Sequence, residues 1–285
     1  MTSPERTTDA HQHGEHEIED HDRGLLFDVQ RLVGRRRALA LFGGTALAAL
    51  AGCATATTGT STATTAVSSA AGAAAVGDVA VIPQETAGPY PADGSNGKNI
   101  LSESGVVRSD IRSSFGSSTT TAEGVPLTIR LTLVKADGDT PVEGAAVYLW
   151  HCNRDGQYSM YDRAVTDENY LRGVQASAAD GTVTFTSVFP ACYSGRWPHI
   201  HFEVYTSVDE ATAAGQILST SQMALPKDTC STVYATTGYE QSISNLARVS
   251  LARDMVFGDD GGVSQLATMT GDVSGGYTAA LTVGL

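Results

Sequence analysis

Apolar and polar residues alternate with a period of two in several short stretches of this chain. Leu127–Val134 (L-T-I-R-L-T-L-V) and Thr182–Phe189 read as half-buried strands. Ala145–Trp150 is more continuously apolar and reads as a second strand. His199–Tyr205, Ile217–Ala224, Ala247–Leu251 and Ala279–Val283 complete the expected set. Turn signals separate them, among them Asp137-Gly138 and Ala179-Asp180-Gly181. No long amphipathic helix is evident. Many short strands at turn-separated spacing predict an all-β fold, a β-sandwich with long loops.

The strand pattern begins only after residue 79. Residues 1–34 are polar, acidic and His-rich, and too poor in apolar residues to fold alone, so they read as a disordered leader. Arg35-Arg36-Arg37 then precedes the uncharged run Ala38–Gly52, a positive region followed by an apolar one, as in an export signal. The arginines resemble a twin-arginine signal, and Leu50-Ala51-Gly52-Cys53 resembles a bacterial lipobox. Ala54–Gly77 contains only Ala, Thr, Ser and Gly apart from Val67 and Val76, the composition of a flexible tether. The expected organisation is therefore a leader over 1–53, a linker over 54–78 and one folded domain over 79–285. It describes an exported protein, secreted or held at the cell envelope by a lipid on Cys53.

Charge narrows the partners. The net charge is −13. Six Lys/Arg and eight Asp/Glu before residue 53 leave twelve against twenty-three, or −11, for the rest. So acidic a body argues against nucleic acid, and against a membrane contact other than a lipid anchor. Of the four cysteines, Cys53 belongs to the leader; an exported chain favours pairing of Cys192 with Cys230, a bridge that would brace the loop carrying Tyr193.

The chemistry gathers around Ala191–Tyr205 (A-C-Y-S-G-R-W-P-H-I-H-F-E-V-Y). Four of the seven histidines lie in the leader; of the other three, His199 and His201 sit two apart in a strand and share one face. Tyr193 precedes them in a turn-rich loop, and Tyr158 follows the Asp155-Gly156 turn. A phenol titrates near 10, so it is a poor ligand unless a strongly Lewis-acidic ion such as Fe(III) removes its proton. His151 reads as a structural hydrogen-bonding residue, Trp150 as core, Tyr90 and Tyr161 as packing. Trp197 either shapes a pocket mouth or covers the loop.

Tyr158 and Tyr193 followed by R-W-P-H-I-H-F resemble the intradiol ring-cleavage dioxygenases, the protocatechuate 3,4-dioxygenase and catechol 1,2-dioxygenase family, and most of all its exported members. Further matches are Glu85-Thr86-Ala87-Gly88-Pro89-Tyr90, Tyr170–Gln175 and Asp180-Gly181. The resemblance implies a β-sandwich with iron between its layers. It implies Fe(III) held by Tyr158, Tyr193, His199 and His201, with Tyr193 leaving the iron when substrate binds. Arg196 matches an arginine that stabilises developing negative charge, and Gln222 a second pocket residue. The implied reaction joins O2 to a catechol-type ring and breaks the bond between the two hydroxylated carbons, giving a muconate-type diacid. Two other readings remain at this point. A cupin-type iron enzyme also uses H-x-H, but Glu203 lies too close for the cupin carboxylate. A transthyretin-like surface module would bind without catalysis and without metal.

Overall fold

The computed structural model describes residues 79–136 and 139–285. The leader, the arginine signal, Cys53, the tether and the Asp137-Gly138 turn lie outside the described residues. Among the described residues, eight strands form two four-stranded sheets. In chain order they are β1 (Pro126–Val134), β2 (Ala146–Trp150), β3 (Arg172–Ala176), β4 (Thr182–Val188), β5 (His199–Tyr205), β6 (Ile217–Ala224), β7 (Thr268–Asp272) and β8 (Gly276–Gly284). One sheet runs β4-β1-β8-β7, with β1 and β8 parallel; the other runs β3-β2-β5-β6 and is antiparallel throughout. Among the described residues three short α-helices are added: α1 (Val208–Thr212), α2 (Lys227–Tyr234) and α3 (Glu240–Leu246).

Alternation explains the layering. In β1, Leu127, Ile129, Leu131 and Leu133 are buried and meet Val147, Leu149, Ile200, Phe202 and Val204 of the second sheet, forming the core between the layers. All of β2 and β5 is buried, so the second sheet is covered on its outer face too. There a second cluster gathers Ala146, Tyr148, Trp150 and Tyr205 beneath Tyr90, Ala92, Ile100, Leu101 and Tyr158. The cover is the irregular segment before β1 together with the loop after β2.

Three expectations need correction. His199 and His201 point to the outer, covered face, since Ile200, Phe202 and Val204 occupy the inner one. The candidate metal site is therefore not between the sandwich layers. Ala247–Leu251 is not a strand: Ala247 closes α3 with an N–H to Ile243, and Leu251–Arg253 forms a 3-10 turn. Its apolar residues Val249 and Leu251 rest on the core as a winding segment. Cys152, Cys192 and Cys230 are all buried free thiols, so the Cys192–Cys230 bridge is absent. The Cys192 Sγ lies 3.5 Å from the Arg196 carbonyl, and burial pushes all three thiols up, keeping them protonated.

Two strands escaped the sequence reading. β3 carries Arg172 and Gly173, and β7 is almost wholly exposed; both are edge strands whose register comes from neighbours and not from alternation.

Candidate metal centre

β5 presents His199 and His201 side by side, their Nε2 atoms 3.1 Å apart. The His199 Nδ1 donates to the Trp197 carbonyl at 2.5 Å. A carbonyl only accepts, so Nδ1 carries the proton and Nε2 is left with a lone pair. His201 is held face to face with Trp150, its register partner on β2, at 4.9 Å and 7°. Gly88, at φ +71°, brings the covering segment against the other side of this ring: a Cβ there would lie 3.3 Å from the His201 Cε1, a tight contact on a backbone that favours glycine.

The two tyrosines arrive from separate loops. The Tyr158 oxygen lies 3.4 Å from the His199 Nε2, and that of Tyr193 lies 3.2 Å from the same atom. Tyr158 is buried, its ring against Tyr90 at 4.8 Å and its N–H bonded to Asp162. Tyr193 is half-buried beside exposed Ser194 and Gly195, at the solvent edge of the cluster. The loops meet where Gly156, at φ +85°, packs on the Tyr193 Cβ.

Burial dominates the electrostatics. It lowers His199 to about 3, aided by Arg196, and holds His201 well below its usual range, aided by His199. Both imidazoles are thus held in the neutral form, with which a histidine can bind a metal. Burial, then Tyr193, holds the Tyr158 phenol well above 10. Three groups thus surround one lone pair that accepts one hydrogen bond well. Donors spaced 3.1–3.4 Å fit a shared cation instead: bonds of about 2.0–2.1 Å place neighbouring ligands about 2.9–3.4 Å apart. Among the described residues no group of three or more His, Cys, Asp or Glu could hold a metal, so the remaining donors here are phenols. That set fits a hard ion able to displace phenolic protons, ferric iron above zinc.

Arg196 and Gln222 stand together behind this cluster. Both are buried, and the Arg196 Nη2 donates to the Gln222 Oε1 at 2.8 Å. Gln222 is the register partner of His201 and donates its Nε2 to the Thr86 carbonyl. Arg196 also pairs with Asp254, Nε to Oδ2 at 3.1 Å. Burial alone would raise the Asp254 carboxyl, but Arg196 and the backbone N–H groups of Trp197 and Val256 hold it below the usual range. Sequence reading passed over Asp254, which lies 58 residues from Arg196 in a segment without periodicity. The other named residues are structural. His151 bonds Ser187 and the Cys152 carbonyl, Tyr161 ties Asn96 to the Ala92 N–H, and Trp197 is core, its indole bonded to the Leu225 carbonyl. Glu203 accepts from Tyr205, which leaves the cupin reading without its carboxylate ligand.

Fold and donor set define a β-sandwich protein with a two-histidine, two-phenol cluster suited to a trivalent cation. Comparison with known proteins agrees. A family model described as "Dioxygenase" matches residues 111–233. A 60-residue stretch is 38% identical to a chlorocatechol 1,2-dioxygenase of Rhodococcus opacus and covers 21% of this chain. A stretch of the same length is 37% identical to a catechol 1,2-dioxygenase of Pseudomonas sp. (strain EST1001), again over 21% of this chain. These stretches span only 23% and 20% of the two relatives' own length. The structure of an intradiol ring-cleavage dioxygenase from Tetranychus urticae superposes with a TM-score of 0.57 at 26% identity, covering 72% of this chain and 94% of that one. The family model, the two relatives and the superposed structure all support an intradiol ring-cleavage dioxygenase family for this chain.

Proposed function

We propose that this chain is an exported Fe(III)-dependent dioxygenase that opens catechol-type rings between the two hydroxylated carbons with O2, giving muconate-type diacids. One observation carries the reading: both tyrosine oxygens and the His201 Nε2 converge within 3.4 Å of the His199 Nε2. The names of the relatives support the substrate class. Bound at this cluster, ferric iron would supply Lewis acidity toward the two catechol oxygens and O2.

The residues divide the remaining work. His199 and His201, locked by the Trp197 carbonyl and the Trp150 ring, are the fixed neutral ligands. Tyr158, enclosed by Tyr90 and the covering segment, is the permanent phenolate. Tyr193, half-buried at the solvent edge of the cluster, would be the more exposed phenolate ligand and is placed to accept a catechol proton. Arg196, fixed by Asp254 and Gln222, would supply the positive charge that stabilises negative charge developing on a bound ring. With that guanidinium already engaged by a carboxylate, a catechol without a carboxyl group suits the site.

The proposal extends to the leader. Residues 1–53 act as a twin-arginine signal with a lipid-modified Cys53, and 54–78 as the tether. Replacing Arg35 and Arg36 with Lys is expected to block export, and export at the wild-type level would refute this part. For the enzyme, the purified iron-loaded protein is expected to be red-brown from tyrosinate-to-iron charge transfer, to change colour with catechol and to consume O2. A colourless protein that excludes iron would refute the reading and favour a binding module.

A further inference from the structure

Asp254 occupies an unusual position. Its carboxylate is wholly buried and accepts five hydrogen bonds that join two parts of the site. The Arg196 Nε and Nη2 donate to it at 3.1 and 3.3 Å, and the Trp197 N–H donates to the Oδ2 at 2.7 Å. The N–H groups of Val256 and Phe257 fill the Oδ1 at 2.9 and 3.3 Å, fixing the carboxylate to its own loop. The Trp197 peptide then passes the constraint on: its N–H is held by Asp254, and the carbonyl of Trp197 accepts from the His199 Nδ1. One carboxylate thereby holds the site's arginine directly and reaches one histidine through a single residue.

We propose that Asp254 is a positioning residue of this site: it neutralises and aims Arg196, and through Trp197 it sets the orientation and tautomer of His199. This rests on the reading of His199 as a metal ligand. Arg196 is fully enclosed, and without a carboxylate its charge would be buried against neutral acceptors, a condition proteins relieve by moving the side chain. Such a shift would carry the Gln222 amide with it, since the guanidinium only donates and so dictates which end of that amide faces it. Outer-shell partners that hold a ligand imidazole typically matter about 10- to 100-fold in metal affinity or activity.

The test uses the full chain with Asp254→Asn, Arg196→Gln and the double variant. Fe(III) affinity of the metal-free protein is read by competition with a chelator, the charge-transfer band is recorded on loading, and kcat and KM are measured with catechol. Asp254→Asn is expected to weaken iron binding about 10- to 100-fold, to shift the band, and to lower kcat more than it raises KM. The double variant is expected to bind iron no worse than Asp254→Asn, because the two residues act as one unit. Wild-type affinity and band in Asp254→Asn, with stability alone reduced, would overturn the proposal, as would strictly additive losses. If Asp254→Asn fails to fold, Asp254→Glu carries the same readouts: it keeps the charge but displaces it by one methylene, and wild-type values there overturn the proposal. A wild-type protein without iron or colour would instead refute the metal-centre reading. The stability coupling between Arg196→Gln and Asp254→Asn in the metal-free protein would still decide whether the two residues form one unit.

Discussion

Tyr158→Phe separates folding from metal binding at a single atom. The ring and its packing remain: Tyr90 at 4.8 Å, Tyr193 edge-on at 5.9 Å and His201 at 6.1 Å. Only the oxygen is lost, and it lies 3.4 Å from the His199 Nε2, longer than an ordinary hydrogen bond. Even a well-made bond contributes only about 0.5–1.5 kcal/mol net, and the cost of burying a hydroxyl offsets part of that. The metal-free variant should therefore unfold in urea within about 1 kcal/mol of wild type. Iron binding should respond differently. Since losing an outer partner of a ligand costs about 10- to 100-fold, losing a ligand itself should cost at least about 100-fold. The charge-transfer band should also weaken, because one of its two phenolates is gone. Urea unfolding of the metal-free protein and chelator competition on the same preparation give both numbers. A loss of 3 kcal/mol or more in stability (on the order of a buried-core deletion) with unchanged iron affinity and colour would show that the phenol serves the fold, and would refute the reasoning.

Other perturbations test neighbouring parts of the argument. Gly88→Ala places a Cβ 3.3 Å from the His201 ring at φ +71°, and the left-handed backbone alone should cost about 1–2 kcal/mol; thermal unfolding and iron affinity should both fall, and an unchanged affinity would mean the covering segment does not press on the ligand. Phe202→Ala empties the inner face of the same strand and should cost about 3–5 kcal/mol, while the folded fraction still binds iron one to one, as read by urea unfolding and metal analysis. His151 is lowered to about 4 and His199 to about 3, while unfolded histidine titrates near 6.5. The unfolded chain therefore binds more protons at acid pH, so stability is intact above about 6.5 and falls as pH drops, by about 2 kcal/mol per histidine at pH 5. Urea midpoints of the metal-free protein from pH 7.5 to 5 should show this slope, and His151→Gln should flatten it; a flat wild-type profile would refute the assignment.

How much of this was legible in the sequence depended on periodicity. β1 has one wet and one dry face, so its alternation marked both its span and its buried side. β5 and β6 were placed residue for residue, and the spacing of His199 and His201 fixed their common face. Which way that face looked was not legible. All seven residues of β5 are buried, and alternation tells which side chains share a side without telling which side meets the other sheet. The course of residues 79–125 and of the loop after β2 across the outer face decides it, and that course follows from turns and individual hydrogen bonds. Val249 and Leu251 show the converse: a short apolar alternation can belong to a chain winding over a core. Asp254 left no local signal, because its partners are Arg196 and a peptide N–H far along the chain.

The chain contains only two tryptophans, and both stand against the candidate ligands: Trp150 lies flat on His201, and the Trp197 carbonyl accepts a hydrogen bond from the His199 Nδ1. Intrinsic emission is therefore a label-free report on this one location. Loading, substrate entry and local loosening should all be visible as changes in fluorescence intensity, with Trp150→Phe and Trp197→Phe assigning each contribution.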